Sequence, residues 1–251
     1  MNDREALIDK VTDCILEADK TVVLTGAGIS VESGIAPFRG KDGVWEKYDP
    51  MEYGHISSFK NNPEKCWVML REMANEITKA RPNAAHYSLA ELEEMGMVDY
   101  VITQNVDNLH QDAGSRNVVE FHGNFRFLKC LNCGKKRKID DFDFSDNVPR
   151  CRCGHIFKPD VIMFGESLPV DAYQKGVDEA ESCDLMLIVG TSAVVYPAAN
   201  IPFTAKRNDA KIVDINLEET NISRLLSDYT LKAKAGEVLP KIVEKVKEKN
   251  S

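Results

Sequence analysis

The chain has 251 residues, of which 43% are hydrophobic, and its formal net charge is −8 at pH 7. A chain of this length can bury the core of one large domain, alone or with a smaller second domain. The acidic balance disfavours a surface that neutralises nucleic-acid phosphates, so we predict no direct nucleic-acid binding. No apolar run approaches the roughly 18 residues needed to cross a bilayer, and the charged start MNDREALIDK is unlike a signal peptide. We therefore expect a cytoplasmic protein that does not enter the membrane.

Helices and short apolar strands alternate along most of the chain. Residues 4–19 carry apolar side chains at helical spacing and precede the apolar run TVVL at 21–24. The same pairing recurs as NAAHYSLAELEEMG (83–96) before VDYVIT (98–103), VDEAESC (177–183) before LMLIVG (185–190), and PAANIPFTAKR (197–207) before KIVDIN (211–216). Short buried strands that alternate with helices predict a parallel sheet covered on both faces. The predicted fold class is α/β, with a doubly wound parallel sheet.

Two stretches interrupt this alternation. Residues 31–60 are rich in Gly, Pro and aromatic residues without a clear period, and residues 124–160 contain four cysteines and dense charge runs. Long irregular segments in a compact domain are usually functional or mobile, and the second stretch has the composition of an inserted module. The basic run KKRK (135–138) is followed at once by Asp140, Asp141, Asp143 and Asp146, which favours a solvated surface hairpin over a nucleic-acid patch.

The stretch TGAGIS (25–30) directly follows the first predicted strand. Glycines there let the backbone approach a phosphate, whose charge is met by unpaired N–H groups at a helix N-terminus. The stretch lacks the third glycine of GxGxxG, and no acidic residue closes a strand about 20 residues later, so the usual dehydrogenase fingerprint is not met. A tight strand-to-helix turn without a ligand is the alternative.

Four cysteines are spaced as zinc ligands. Two residues separate Cys130 from Cys133, 17 residues follow, and one residue separates Cys151 from Cys153. Because four thiolates complete a tetrahedral shell without an open position for water, we predict a structural zinc that does no chemistry. The short second spacing leaves His155 as an alternative ligand. The scattered cysteines are expected in the core: Cys14, Cys66 and Cys183.

The stretch TQNVDNLH (103–110) places several polar side chains at the end of the second predicted strand. In open α/β sheets, ligands bind outside the carboxyl ends of the strands. Gln104, Asn105 and Asp107 are therefore candidates for hydrogen bonds to a ribose and an amide, and Asx-type turn capping is the alternative. His122 lies eight residues before Cys130, but a zinc with four cysteines does not need it.

Eight motifs resemble, in order and spacing, those of the sirtuins, which are NAD-dependent protein lysine deacylases: TGAGISVESGIAPFRG, TQNVDNLH, FHGN, the paired cysteines, KPDVIMFGE, GTSAVVYPA, INLE and KAGEVLP. The resemblance runs from about residue 20 to about residue 240. It implies a Rossmann-like large domain (1–30, 81–123 and 161–251) and a smaller zinc-binding domain (31–80 and 124–160). It also implies that NAD and an extended acyl-lysine segment of an acetylated protein meet between the two domains.

The resemblance also implies individual contacts. The NAD phosphates would lie against the glycine loop: Gly26, Ala27, Gly28 and Ser30. The cofactor loop would contribute Phe38, over the reacting ribose, and Arg39. The nicotinamide and its ribose would be bound at the second strand end: Gln104, Asn105, Val106 and Asp107. Adenosine would be bound by residues after later strands: Gly190, Thr191, Ser192, Asn216, Glu218 and Ala235. The acyl-lysine segment would bind near the FGE motif and the following loop: Val161, Phe164, Gly165, Glu166 and Val195.

His122 takes the role of general base through the same resemblance, with Asn105 as a second catalytic residue. In the family's chemistry, the acyl oxygen attacks C1′ of the nicotinamide ribose and expels nicotinamide. His122 then helps to deprotonate a ribose hydroxyl, so that the 2′-oxygen attacks the imidate carbon and O-acetyl-ADP-ribose is produced. A neutral imidazole with a pKa of about 6.5 suits that proton transfer.

The cofactor loop departs from the family pattern. The family commonly reads GIP followed by Asp or Thr before FR, whereas this chain reads GIAPFR at 34–39. Because proline fixes φ and removes a hydrogen-bond donor, NAD affinity is the property that this change affects.

Acyl preference is predicted from a second comparison with the family. Sirtuins that prefer succinyl groups have a Tyr and an Arg three and six residues after a Trp, where this chain has Leu70 and Met73 after Trp67. Since an apolar pocket cannot offset the desolvation of a carboxylate, we predict acetyl and longer apolar acyl groups over succinyl.

Three other functions stay open on the sequence. A sirtuin-like protein ADP-ribosyltransferase would use the same NAD site. A zinc-ribbon module that binds nucleic acid is disfavoured by the acidic balance. A dehydrogenase would change the absorbance of the nicotinamide ring, which the family's chemistry does not do.

Overall fold

The computed structural model describes residues 3–40, 42–142 and 148–250. The strands in these ranges are β1 (Thr21–Thr25), β2 (Tyr100–Thr103), β3 (Val118–Glu120), β4 (Gly123–Cys130), β5 (Lys136–Lys138), β6 (Phe157–Val161), β7 (Leu185–Val189), β8 (Lys211–Asn216) and β9 (Tyr229–Lys232). The helices are α1 (Asp3–Glu17), α2 (Val44–Lys47), α3 (Pro50–Tyr53), α4 (Ile56–Asn61), α5 (Pro63–Lys79), α6 (Ala84–Glu94), α7 (Leu109–Ala113), α8 (Val170–Ser182), α9 (Ile201–Arg207), α10 (Asn221–Leu225) and α11 (Ala235–Lys249). None of the described helices is both long and apolar enough to cross a membrane.

Six strands form one parallel sheet in the order β3-β2-β1-β7-β8-β9. β1 pairs with both β2 and β7, and all five of its residues are buried. Successive side chains point to opposite faces, so Val23 packs into one hydrophobic core and Val22 and Leu24 into another. A strand that is buried on both sides reads as a continuous apolar run, which is why TVVL predicted its position. The predicted doubly wound α/β fold is confirmed.

Helices cover both faces of this sheet. On one face, α1, α6 and α11 contribute Ile8, Leu89 and Ile242 to the core, and on the other α8 and α9 contribute Ala180 and Ala205. α8 begins at Val170, earlier than the predicted start at 177. In the structure Gly176 is helical, and a Cβ atom there would lie 2.4 Å from the Phe121 ring, so the missing side chain makes room for that ring.

A smaller antiparallel sheet, in the order β5-β4-β6, packs with α5 around a third core. Trp67, Phe125 and Leu128 are completely buried there, and the Trp67 indole N–H donates to Phe157 O at 2.8 Å. Residues 31–60, in which the sequence shows no period, contain the short helices α2, α3 and α4. Helices of four to six residues complete less than two turns, so they leave no helical period in a sequence.

The basic run at 135–138 lies on a surface hairpin, as predicted. β5 pairs with the end of β4, and its three residues are exposed. Lys136 forms an ion pair with Asp160 at 2.5 Å, and Arg137 forms one with Asp141 at 3.6 Å. Asp143 and Asp146, which belong to the same prediction, lie outside the described residues.

Candidate active site

Two loops cross where β1 and β7 end. Gly26 N–H donates to Val189 O at 3.2 Å, and Gly28 N–H donates to Gly190 O at 2.8 Å. A Cβ atom on Gly28 would lie 2.7 Å from Gly190 Cα, and one on Gly190, whose φ is +61°, would lie 2.4 Å from Ile29 N. Side chains therefore cannot be accommodated at this crossing. The glycines that we predicted beside a phosphate also bring two strand ends into contact.

A buried hydrogen-bond network begins next to this crossing. Ser30 Oγ donates to Asp107 Oδ2 at 2.7 Å, and Asn105 Nδ2 donates to Ser30 Oγ and to Gly26 O, each at 3.1 Å. Leu109 N–H donates to the second Asp107 oxygen at 2.9 Å. Burial raises the pKa of Asp107, against the hydrogen bonds from Leu109 and Ser30, which lower it. The structure thus brings together residues from the ends of β1 and β2 that lie 75 and more positions apart in the chain.

His86, which no sequence motif indicated, determines the direction of the hydrogen bonds in this network. Its Nδ1 accepts the backbone N–H of Asn83 at 3.3 Å, so in the neutral ring Nε2 carries the proton and faces Ser30 Oγ at 3.5 Å. The Ser30 oxygen thus receives hydrogens from His86 and Asn105, and its own proton goes to Asp107. The feature of the sequence that could have indicated this role is a histidine in the first turn of a helix, at the third position after the Asn83 cap.

A second buried histidine, His110, lies against the first. The two rings meet edge to face with centroids 5.0 Å apart, and His110 Nε2 lies 2.9 Å from Thr25 Oγ1. Burial lowers the pKa of His86 to about 4 and that of His110 to about 3. Both rings are therefore neutral at pH 7.

His122 lies between β3 and β4, immediately beside the end of β2. Its Nδ1 is 2.9 Å from Gln104 O. A carbonyl oxygen can only accept, so Nδ1 carries the proton and the lone pair is on Nε2, which forms no hydrogen bond within the described residues. Burial lowers the pKa of His122, and the hydrogen bond to Gln104 opposes this in part. The neutral ring is a proton acceptor through Nε2 at pH 7.

Two adjacent cavities contain many of the side chains selected from the sequence. The larger is lined in part by Phe38, Arg39, Gln104, Val106, His122, Val161, Phe164, Gly165, Glu166 and Val195. The smaller is lined in part by Ala27, Ser30, Phe38, Asn105, Val106 and Asp107. Phe38, Val106 and Met73 line both, so one apolar wall separates His122 from the Ser30–Asp107 network.

The residues expected around adenosine do not line these cavities. Asn216, at the end of β8, donates to Thr191 O at 3.3 Å, and Thr191 Oγ1 accepts from Gln104 Nε2 at 2.9 Å. These bonds connect the group to the larger cavity. The other members lie after β7, after β8 and at the start of α11: Gly190, Ser192, Glu218 and Ala235.

Much of the wall of the larger cavity is apolar. Trp45, Met69, Leu70 and Met73 line the larger cavity from the small-sheet side. The charged residues in its lining are Arg39 and Glu166, and the latter is paired with Lys158 at 2.9 Å. Leu70 and Met73 both line this cavity, and the acyl preference stays a prediction.

The four cysteine sulfur atoms of the small sheet lie within 4.8 Å of one another. Cys130 and Cys153 are 3.5 Å apart, and Cys133 and Cys151 are 3.6 Å apart. A tetrahedral zinc with bonds of about 2.3 Å requires sulfur separations of about 3.8 Å, so the cluster fits that ion. His155 is outside the cluster.

His122 and this cluster lie at opposite ends of one strand. His122 immediately precedes β4, and Cys130 ends it. Eight residues of extended chain span about 25 Å, so the cluster cannot contribute to chemistry at His122. This geometry answers whether His122 is a zinc ligand: it is not.

A profile of the Sir2 family matches residues 26–197. The chain belongs to the Sir2 family. This sirtuin is 49% identical over 245 residues to NAD-dependent protein deacylase 2 of Archaeoglobus fulgidus, with 96% of each chain covered. Among solved structures, it is 41% identical to a Sir2 homologue in complex with NAD, with a TM-score of 0.90 and with 97% of this chain and 95% of that one covered. It is 37% identical to a Sir2 bound to a deacetylated p53 peptide and 3′-O-acetyl-ADP-ribose, with a TM-score of 0.90 and coverage of 95% and 98%. The resemblance identified from the motifs is confirmed.

Backbone hydrogen bonds hold the segment around Pro37, which we predicted as the cofactor loop. Val44 N–H donates to Pro37 O at 2.9 Å, and Trp45 N–H donates to Phe38 O at 3.1 Å. The Phe38 and Trp45 rings stack with centroids 5.5 Å apart. The carbonyl of Pro37 therefore serves as a hydrogen-bond acceptor that holds this segment against the start of α2.

Proposed function

We propose that this sirtuin uses NAD to remove acetyl and longer apolar acyl groups from protein lysines, producing nicotinamide and O-acetyl-ADP-ribose. The observation that carries the proposal is the position of His122. Its free Nε2 belongs to a ring that lines an apolar cavity, and the buried polar network of Ser30, Asn105 and Asp107 lines the adjacent one. A proton acceptor, an apolar channel and a polar pocket side by side are what acyl transfer from a lysine to a nucleotide sugar requires.

The chain's own groups fit NAD. Gly28, which is exposed beside the crossing with Gly190, offers backbone that a phosphate can approach closely. The amide and carboxylate of Asn105 and Asp107 are suited to the polar carboxamide of nicotinamide. When bound, NAD supplies the ribose that accepts the acyl group as nicotinamide leaves. We assign the phosphates, the nicotinamide end and adenosine to the residue groups named from the sequence.

His122 moves the proton. Nε2 accepts it from a hydroxyl group in the cavity, and the resulting imidazolium is stabilised because Nδ1–H donates to the carbonyl of Gln104. Asn105 holds the oxygen of Ser30 and so fixes the shape of the adjacent pocket. Phe38, which lines both cavities, excludes water between them.

The acylated protein is proposed to bind as an extended segment along Val161–Glu166 and the loop at Val195. Backbone pairing of this kind gives affinity with little demand on sequence. The four-cysteine cluster is proposed to hold zinc and thereby to stabilise the fold of the small domain (31–80 and 124–160). The remaining residues form the proposed large domain (1–30, 81–123 and 161–251). We also propose a cytoplasmic location and no direct binding of nucleic acid, since free thiols at a metal site suit a reducing compartment and the net charge is −8.

Nicotinamide release with and without an acetyl-lysine peptide tests the proposal. We expect release that depends on the peptide, with mass analysis showing a deacetylated peptide and acetylated ADP-ribose. His122→Ala should abolish the deacetylated product while it retains stoichiometric zinc. A peptide that gains ADP-ribose instead would identify an ADP-ribosyltransferase, and an increase in absorbance from reduced nicotinamide would identify a dehydrogenase.

A further inference from the structure

The segment Val161–Glu166 is held by both halves of the molecule. Ile162 N–H donates to His122 O at 2.8 Å on the large-sheet side. Phe164 N–H donates to Gly54 O at 3.0 Å, and Phe164 O accepts from Ile56 N–H at 2.9 Å on the other side. All six of its residues line the larger cavity. The shape of this segment therefore determines the shape of the cavity wall next to His122.

An ion pair between a buried lysine and a partly buried glutamate supports the segment. Lys158 of β6 is only 4% exposed, and its Nζ donates to Val161 O and, at 2.9 Å, to Glu166 Oε2. The ammonium group thus joins the first and last residues of the segment. Glu166 is the ion-pair partner of Lys158 among the described residues, and the residue opposite Lys158 across the sheet is also basic, Lys129.

The carboxylate also closes the turn inside the segment. Glu166 Oε2 accepts Met163 N–H at 2.8 Å, and Glu166 N–H donates to Met163 O at 3.0 Å. Gly165, with φ of +81°, completes the turn, and a Cβ atom there would lie 2.6 Å from the His55 ring. The same carboxylate oxygen thus binds both the buried ammonium and the turn, so the loss of either charge affects both.

We propose that Lys158 and Glu166 are a positioning pair, which holds Val161–Glu166 in the conformation that binds the acyl-lysine segment. This inference rests on the proposed function and changes one assignment within it. Glu166, selected from the family motif as a substrate contact, acts through the segment's backbone, because its Oε2 is already bound to Lys158 and Met163. Lys158 has no role in the motif assignments and does not line the cavity.

Lys158→Met tests the pair, because methionine has a similar unbranched chain without the charge. We expect KM and Kd for an acetyl-lysine peptide to rise by about tenfold or more, since the partly buried carboxylate of Glu166 is left without its cation. KM for NAD should change less than about twofold, because the NAD residues lie on other strand ends. A variant that was only less stable would not raise KM and Kd for the peptide while leaving KM for NAD nearly unchanged.

Two further variants make the test specific. Lys158→Met combined with Glu166→Gln removes both charges and should bind peptide closer to the native level than Lys158→Met does. Lys136→Met is the matched control. It breaks a more exposed ion pair to Asp160, which lies on β6 as Lys158 does, and it should leave both KM values unchanged. If Lys158→Met does not fold, Glu166→Gln alone should weaken peptide binding in the same direction.

Hydrogen exchange gives a readout that needs no activity. Without substrates, the backbone N–H of Met163 should exchange faster in Lys158→Met than in the native protein, while β7 amides keep their native rates. Native peptide affinity together with native exchange in the folded variant would overturn the inference and leave the proposed function intact. Failure of the native protein to bind any acetyl-lysine peptide would overturn both.

Discussion

At the scale of single residues, hydrogen-bond direction decides what the candidate site can do. The carbonyl of Gln104 makes His122 a donor at Nδ1 and leaves Nε2 as the acceptor. In the same way, the backbone N–H of Asn83 makes His86 a donor toward Ser30. Two fixed backbone groups thus set the tautomers of two imidazoles, and no other proton arrangement satisfies both.

The acid limb of the activity follows from His122. Burial lowers its pKa below the ordinary 6.5, so the ring stays neutral to a lower pH than an exposed histidine would. As pH falls, protonation of Nε2 removes the acceptor, and we expect kcat/KM for an acetyl-lysine peptide to decline with a midpoint below pH 6.5. Circular dichroism over the same range controls for unfolding. A midpoint above pH 6.5 in folded protein would contradict the assignment.

Acyl selectivity tests Leu70 and Met73. We expect kcat/KM for an acetylated peptide to exceed that for its succinylated form by about a hundredfold, because a buried carboxylate without a partner costs about 3 kcal/mol. Met73→Arg should narrow this ratio by adding a second cation, within the apolar part of the wall formed by Trp45, Met69 and Leu70. Val68→Arg, at a half-exposed position of the same helix that does not line the cavity, should leave the ratio unchanged. A native preference for succinyl would show the prediction to be wrong.

The sequence predicted the chemical types at the site better than their connections. Asn105 and Asp107 were selected because a strand end in an open sheet faces ligands, and the structure does place them beside a cavity. His86 was not selected because it comes from a distant helix and reaches Ser30 only through the fold. The pairing of Glu166 with Lys158 depends on a turn whose geometry no periodic pattern encodes.

At the scale of elements, predictability follows length and periodicity. Strands such as β1 and β7 are continuous apolar runs, so they were predicted within about one residue. The short helices α2, α3 and α4 were missed, because their positions depend on local caps such as Asp49, which accepts the N–H groups of Met51 and Glu52. The cysteine cluster was predicted because the spacing of metal ligands can be recognised in a segment without regular secondary structure, whereas a helix period cannot.

Zinc removal should act on the small sheet. Cys133→Ser is expected to lose stoichiometric zinc and to lower the melting temperature by about 10 °C or more, because a structural metal contributes directly to folding. His155→Ala should keep its zinc, as should Cys66→Ala, which alters a buried cysteine of α5 outside the cluster. Metal analysis and thermal scans provide the measurements. Zinc retained in Cys133→Ser would show that Cys133 is not a required ligand. Zinc lost in His155→Ala would show that His155 is a ligand.

At the scale of the whole molecule, the candidate site lies next to two buried histidines of the core, His86 and His110. His86 and His110 contact each other, and His86 lies 3.5 Å from Ser30 of the buried network. Each has a pKa well below 6.5 because of burial. Below pH 6.5 the unfolded chain binds protons at these positions, whereas the folded protein does not. Stability is therefore unaffected by them above that pH and decreases as pH falls toward the folded values of about 4 and about 3.

This linkage is measurable. Between pH 7 and pH 5, each histidine should lower the free energy of unfolding by on the order of 2 kcal/mol. In His110→Gln one of the two contributions disappears, so the decrease over that interval should be smaller by a similar amount. Urea titrations at several pH values give the comparison, with the m-value as a control for compactness. Parallel pH curves for the two proteins would rule out a neutral, buried His110.

The crossing of Gly28 and Gly190 limits how this enzyme can vary by mutation. A side chain at either glycine would collide with the backbone of the other loop. A substitution at one position therefore cannot make room for a side chain at the other. A library that randomises the two positions, separately or together, should return glycine at both. Recombination between relatives would be tolerated only where both loops come from one parent or share this geometry. The two strand ends are therefore inherited as one unit, although 162 positions separate them in the chain.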